Sequence, residues 1–191
     1  MKIHSSEKFQ QPMANSCQQS AINQKLSESM SESMSESESM SESMSQYCYK
    51  YPHPAVTADC VIFGFDESNI MKVLLIQRGN DPYKGKWAFP GGFMNMDETA
   101  EQCARRELEE ETGLKDVAVE QFYTFTDVNR DPRERVITVA YYALVKLSEV
   151  KANDDANDAQ WFSLYEIPHL AFDHEEILNK ALQTLKEKKK L

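Results

Sequence analysis

From Ala55 to Phe65 the chain reads AVTADCVIFGF, an apolar run rich in β-branched and aromatic residues, and this composition predicts a strand. The polar stretch Asp66–Asn69, DESN, supplies a turn, and MKVLLIQRG, Met71–Gly79, predicts the strand that pairs back. NDPYKGK is a loop, and WAFPGGFMNMDE is irregular or strand-like around a glycine pair. Two longer apolar segments, Val117–Val128 and Arg135–Leu147, predict long strands joined by the loop NRDPRE. AQWFSL predicts a short strand and LYEIP a single turn.

Helical spacing occurs twice. Thr99 followed by Gln102 forms a capping box, so a helix is expected over Ala100–Thr112, with Gly113 as its stop. Near the end of the chain, Asp173 with Glu176 reads as a second capping box. Beyond it, Ile177, Leu178, Ala181, Leu182 and Leu185 make one apolar stripe, and lysines crowd the final turn, where they suit the helix dipole. Strands interleaved with two substantial helices predict an α+β fold, a mixed β-sheet flanked by helices.

Before the first strand the pattern changes character. Ser27–Ser45, SESMSESMSESESMSESMS, is a tetrapeptide repeat without β-branched or aromatic residues, and such a segment cannot bury enough surface to offset chain entropy. The expected organisation is a disordered, acidic, Ser- and Met-rich tail over residues 1–48 and one domain over 49–191. The formal charge of the whole chain is −10. Residues 1–46 account for −3 of that, so the domain is itself acidic, which argues against nucleic-acid binding through a basic surface. No run approaches the ~18 apolar residues that span a bilayer. The N-terminus lacks the apolar core of a secretory signal, and the four cysteines, Cys17, Cys48, Cys60 and Cys103, follow no metal-ligand spacing. A cytoplasmic protein with reduced thiols, without membrane or nucleic-acid partners, is the expectation.

The first helix carries a problem. RRELEEETG, Arg105–Gly113, places like charges close together on one short element. At about 100° per residue, Glu107, Glu110 and Glu111 fall on the same side as Ala100, Cys103 and Ala104, while Gln102, Arg105 and Glu109 face the other way. The three carboxylates therefore share the side that approaches the core. Exposed like charges one turn apart cost only a few tenths of a kcal/mol, but in a cleft of effective dielectric near 20 each close pair costs about 3 kcal/mol. Hard divalent cations with oxygen ligands remove that cost, and Mg²⁺ combines a few carboxylates with substrate phosphates.

Gly92–Leu114, GFMNMDETAEQCARRELEEETGL, resembles the Nudix box of the Nudix hydrolase superfamily. Gly92, Glu98, Arg106, Glu107, Leu108, Glu110, Glu111, Gly113 and Leu114 fill each fixed position of that pattern. At typical residue usage the chance of such a match is ~10⁻⁸ per window. The resemblance implies the Nudix fold, a mixed sheet sandwiched between helices (α/β/α), with Glu107, Glu110, Glu111 and the Gly91 carbonyl as metal ligands. Arg106 is then the arginine that orients the glutamates, and Glu98 a supporting acid. It also implies Mg²⁺- or Mn²⁺-dependent cleavage of a pyrophosphate bond in a nucleoside diphosphate derivative. The general base is assigned to the Glu110/Glu111 pair, with Asp131 and Glu134 in the following loop as alternatives.

Beyond the box, PAVTADCVIFGF, VLLIQRG, KGKWAFPGGF and LAFDHEEIL look like the ADP-ribose pyrophosphatase branch, and equally like the Nudix domain of repressors of nicotinamide cofactor metabolism. The expected reaction is ADP-ribose to AMP and ribose 5-phosphate. Alternatives are hydrolysis of oxidised nucleotides or dinucleoside polyphosphates, or non-enzymatic sensing of ADP-ribose. Such repressors carry a winged-helix segment after the Nudix domain, and here Leu191 lies one helix past LAFDH, so catalysis is expected over sensing. Arg78 and Arg130 are the candidate substrate-binding cations among Arg78, Arg130, Arg133 and Arg135. Trp87, Phe89 and Phe93 are read as core packing and His174 as structural. Family analogy implies a homodimer.

Overall fold

The apolar run near position 60 becomes the middle of a sheet, covered on both faces. In the computed structural model residues 49–147, 150 and 156–189 are described, and the Ser/Met-rich repeat expected to be disordered lies outside them. By internal contacts the chain divides into Met1–Pro52 and His53–Leu191, and every element below belongs to the second unit. The strands are β1 (Ala55–Phe65), β2 (Met71–Arg78), β3 (Trp87–Ala88), β4 (Gly91–Phe93), β5 (Glu120–Phe125), β6 (Val136–Lys146) and β7 (Ala156–Ser163). The helices are α1 (Ala100–Thr112) and α2 (His174–Glu187).

The sheet has the order β3-β2-β1-β6-β5, with β4 also on β1 and β7 also on β2. β1 and β6 are parallel along their whole length and the other pairs are antiparallel, so the sheet is mixed. Along β1, Ala58, Cys60 and Ile62 pack against Cys103, Ala104 and Leu108 of α1. Val61 and Phe63 point the other way, toward Ile177, Ala181 and Leu185 of α2. The expected sandwich of helix, sheet and helix is therefore present, and its two cores explain why β1 does not alternate in polarity.

β1 and β2 pair only near the turn, from Phe63↔Val73 to Phe65↔Met71. Past that point they diverge, and the segment 87–93 fills the opening: β3 joins β2 through Ile76↔Ala88, and β4 joins β1 through Thr57↔Phe93 to Asp59↔Gly91. Phe89 and Pro90 cross between the two strands, tied by Cys60 N–H to the Pro90 carbonyl at 2.8 Å. What sequence reads as an irregular glycine pair is a strand switch.

α1 ends as its sequence prescribes. Gln102 N–H donates to Thr99 Oγ1 (3.2 Å), Thr99 N–H donates to Gln102 Oε1 (2.8 Å), and Gly113, at φ 74°, closes the helix by donating to the Glu109 carbonyl. The second capping box does not form. The Asp173 carboxylate makes no cap bond to its own helix. It accepts two bonds from Arg130, Nε and Nη2 each at 2.7 Å, and both side chains are withdrawn from solvent. A bidentate guanidinium outcompetes a backbone amide for a carboxylate. β5 is also shorter than the expected Val117–Val128. Val117 and Val119 pack against the α1-side core without pairing, and a register shift between Gln121 and Tyr123 interrupts the ladder.

The Arg130–Asp173 pair ties the β5–β6 loop to the start of α2. Removing one partner leaves a buried charge unmatched, so Arg130→Ala is expected to lower the unfolding free energy by about 3–5 kcal/mol in a urea titration. A loss below about 1 kcal/mol would mean that the pair is solvated in solution.

Candidate active site

The strand switch and α1 enclose a cavity of about 490 Å³, lined by residues from β1, β2, β4, α1, the β5–β6 loop and the start of α2. Glu107, Glu110 and Glu111 all line it, so the inward-facing trio read from the helix is on the cavity wall. They are not equivalent. Glu111 is buried at 8% exposure, Glu107 half-buried, and Glu110 stands at the rim with 43% of its side chain exposed.

Arg106 organises two of them. Its Nε and Nη2 form a fork on Glu98 (3.0 and 2.7 Å), and its Nη1 reaches Glu107 Oε1 (2.8 Å) and Glu110 Oε2 (2.9 Å). One guanidinium thus serves three carboxylates. Glu98 also accepts the Asn95 amide at 2.8 Å, and the Arg106 bonds hold its carboxyl down to about 2. Glu111 is held separately, by the Gly91 N–H at 2.9 Å. Its second oxygen, Oε1, has no hydrogen-bond donor among the described residues.

The glycine pair is set by space. A Cβ on Gly92 would stand 2.3 Å from Glu107 Oε1, and one on Gly91 would stand 2.3 Å from the Ala58 carbonyl oxygen. A side chain at position 92 would therefore displace the Glu107 carboxylate.

Burial raises the Glu111 carboxyl to about 8; the Gly91 amide opposes this, and the neighbouring Glu107 and Asp59 reinforce it. Burial likewise raises Glu107, against the pull of Arg106. Among the described residues no three His, Cys, Asp or Glu side chains already converge at metal-holding geometry. Glu107 and Glu110 are instead bonded to Arg106, and Glu111 to the Gly91 N–H. The donor set still fits hard cations: carboxylate oxygens from Glu107, Glu110, Glu111 and Asp59 share one cavity, and the single Arg106 guanidinium that pairs with Glu107 and Glu110 does not reach Glu111 or Asp59.

Sequence reasoning missed Asp59. It sits on β1, buried, with Oδ2 accepting a short bond from the Thr138 hydroxyl, which in turn accepts from Thr57 at 2.6 Å. An acid at the centre of an apolar strand was the available signal. Of the alternative bases, Asp131 lines the cavity but is saturated. Burial alone would raise it, yet three bonds from Arg133 (2.7–3.0 Å) outweigh that and hold it below the usual range. Glu134 is exposed and is not part of the cavity wall.

The candidate substrate cations part company. Arg78 lines the cavity, its Nε bonded to the Pro82 carbonyl (2.8 Å) and its guanidinium 4.9 Å from the Phe172 ring centroid. Arg130 also lines the cavity, but its fork is spent on Asp173. Arg133, not chosen from sequence, lies between the rings of Phe93 (4.9 Å) and Phe172 (5.4 Å). Phe93, read as core, is 39% exposed and belongs to this wall, whereas Phe89 is buried. The alternating stack Phe93–Arg133–Phe172–Arg78 joins residues far apart in sequence, so no local spacing announces it.

Acidic side chains on one wall and guanidinium groups stacked on aromatic rings on the other make a site for a phosphate-bearing ligand and its cations. The NUDIX domain family profile matches residues 53–185, and the chain belongs to the Nudix hydrolase family. It is 44% identical over 133 residues to an ADP-ribose pyrophosphatase of Methanocaldococcus jannaschii, covering 70% of this chain and 76% of that protein. It is 36% identical over 143 residues to NtrR of Acinetobacter baylyi, an ADPR-responsive transcriptional repressor, covering 72% of this chain and 57% of the repressor. The NUDIX domain of Shewanella oneidensis NrtR, in a cocrystal structure with ADP ribose, superposes with a TM-score of 0.65 at 34% identity, covering 71% of this chain and 90% of that domain. Among the described residues no helix is long and apolar enough to cross a membrane.

Two measurements test the electrostatics. A carboxyl near 8 in the fold but near 4.3 unfolded takes up a proton on folding, so the metal-free protein should lose stability as pH rises toward 8. The window is above about 6.5, where a buried neutral histidine no longer opposes the trend. Melting temperature in EDTA should therefore fall from pH 6.5 to 8, and saturating Mn²⁺ should raise it and flatten the slope. A metal-free melting curve that ignores pH would refute the burial of Glu111. Gly92→Ala should lower turnover at least ~10-fold through displacement of Glu107, at little cost in melting temperature.

Proposed function

We propose that this protein is a divalent-metal-dependent pyrophosphatase that cleaves ADP-ribose into AMP and ribose 5-phosphate. The observation that carries the reading is the graded set of carboxylates on α1, turned into a cavity whose far wall is cationic. The 44% identical relative with ADP-ribose pyrophosphatase activity in its name, and the ADP-ribose cocrystal of a structural neighbour, favour this substrate.

Glu107, Glu110, Glu111 and the Gly91 carbonyl would hold the cations, with Mg²⁺ or Mn²⁺ as the expected ions. When bound, such ions neutralise charge on the diphosphate and favour attack at phosphorus. Arg106 keeps Glu107 and Glu110 on the cavity side, with Glu98 fixing the guanidinium from behind. Arg78 and Arg133 face the diphosphate from the opposite wall, each oriented by an aromatic ring. The general base is Glu111: its Oε2 is fixed by the Gly91 N–H, and once the carboxyl has given up its own proton, as nearby cations would favour, Oε1 can accept one from water. Arg130 acts on the substrate only indirectly, by holding the loop that carries Arg133. The reading includes a homodimer, which light scattering on the purified chain would test.

A second reading has its own support. The 36% identical repressor relative is ADPR-responsive, so this chain could bind ADP-ribose as a regulator without turning it over. The two separate in one assay. Protein with Mg²⁺ or Mn²⁺ should release AMP and ribose 5-phosphate from ADP-ribose, read by phosphate release after phosphatase coupling. It should prefer ADP-ribose over dinucleoside polyphosphates and oxidised nucleotides. Binding without release supports the regulator, and release only from the other nucleotides removes the substrate assignment. Glu111→Gln is expected to cut turnover at least about 100-fold while leaving the fold intact. Near-normal turnover would remove Glu111 as base.

A further inference from the structure

His174 opens α2 and its side chain is 5% exposed, on the cavity wall. Its ring lies flat on Phe89, with centroids 5.2 Å apart and planes 9° apart, and Phe172 flanks it at 5.7 Å. The Phe89 backbone N–H donates to Nδ1 at 2.9 Å. A ring nitrogen that accepts such a bond carries no proton, so in the neutral imidazole the proton sits on Nε2. Burial, the largest influence on this group, keeps the ring neutral. Nε2 is 3.9 Å from Asp59 Oδ1, outside hydrogen-bond range, and finds no other acceptor among the described residues. The guanidinium groups of Arg106, Arg130 and Arg133, which line the same cavity, are charged donors that each pair with a carboxylate. His174 instead presents a fixed, uncharged N–H to the cavity.

We propose that His174 is a substrate-positioning residue: its Nε2–H donates a hydrogen bond to an oxygen of the diphosphate–ribose portion of the ligand, beside Asp59. This rests on the reading of the cavity as a nucleoside-diphosphate site. Such a donor discriminates by acceptor. A ligand with an oxygen at that point satisfies the N–H, and one without it leaves the group buried and unpaired. Being neutral, it also does so without repelling the cations that the carboxylates hold.

Two substitutions separate donation to the ligand from simple packing. In His174→Asn the amide oxygen lies near the Nδ1 position and keeps an acceptor for Phe89 N–H, but nothing reaches the Nε2 position. In His174→Gln the amide nitrogen reaches the Nε2 position, and the Phe89 acceptor is lost. The expected result is a KM for ADP-ribose raised at least ~10-fold in His174→Asn, with kcat changed less than KM, and substantial recovery in His174→Gln. Melting temperatures should rank the other way, Asn above Gln. If Asn keeps the wild-type KM and Gln does not, the residue only supports Phe89 and the inference falls. Binding of ADP alongside ADP-ribose locates the acceptor: weakening of both places it on the phosphates, weakening of ADP-ribose alone on the distal ribose. Wild-type protein that neither binds nor cleaves ADP-ribose overturns the functional reading and this one with it. Wild-type turnover with an unchanged KM in His174→Asn overturns this one alone.

Discussion

A single guanidinium decides the shape of the acidic wall. Arg106 bonds Glu98, Glu107 and Glu110 at once, and without it the like charges of α1 would repel one another inside a partly dehydrated cavity. Its contacts are unequal in kind. The fork on Glu98 is a planar, two-point match that fixes the guanidinium, while the bonds to Glu107 and Glu110 share one nitrogen and are the ones a cation would loosen. Glu111 lies outside this arrangement, held by one backbone amide, and burial raises its carboxyl against that amide's pull.

The sheet makes that wall possible by failing to close. β1 and β2 separate after three residue pairs, and the gap admits a segment that pairs briefly with each. Two backbone amides from that segment are turned outward to side chains that line the cavity, Phe89 to His174 and Gly91 to Glu111. Regular strand pairing would have consumed both in the ladder. The local irregularity is therefore what frees main-chain donors for the site.

How much of this was legible in the sequence follows from the range of the interactions. β1, β2, β6 and both helices are set by runs and periodicities a dozen residues long, and they fall where the pattern puts them. The pattern on α1 is local too: spacing put Glu107, Glu110 and Glu111 on the inward side, and the resemblance to the Nudix box supplied the part expected of Arg106. Asp173 misled because a capping box is a local rule, and a partner 43 residues away overrode it. The opposite wall was not legible: Arg133 and Phe172 meet only because the β5–β6 loop and the approach to α2 fold onto the same edge. Val117 and Val119 show a further limit, since apolar periodicity reports burial and cannot say whether a buried backbone is paired.

The tripeptide Phe89–Pro90–Gly91 has a mechanical consequence. One end is fastened to a side chain at the start of α2, on one side of the sheet, and the other end to a side chain near the close of α1, on the opposite side. The middle is pinned to β1 through Cys60. It acts as a rivet through the sheet: sliding either helix along its face by even a fraction of an ångström would tug on the carboxylate or the imidazole across the layer. The two cores are thus geared to each other at the cavity that the carboxylates line.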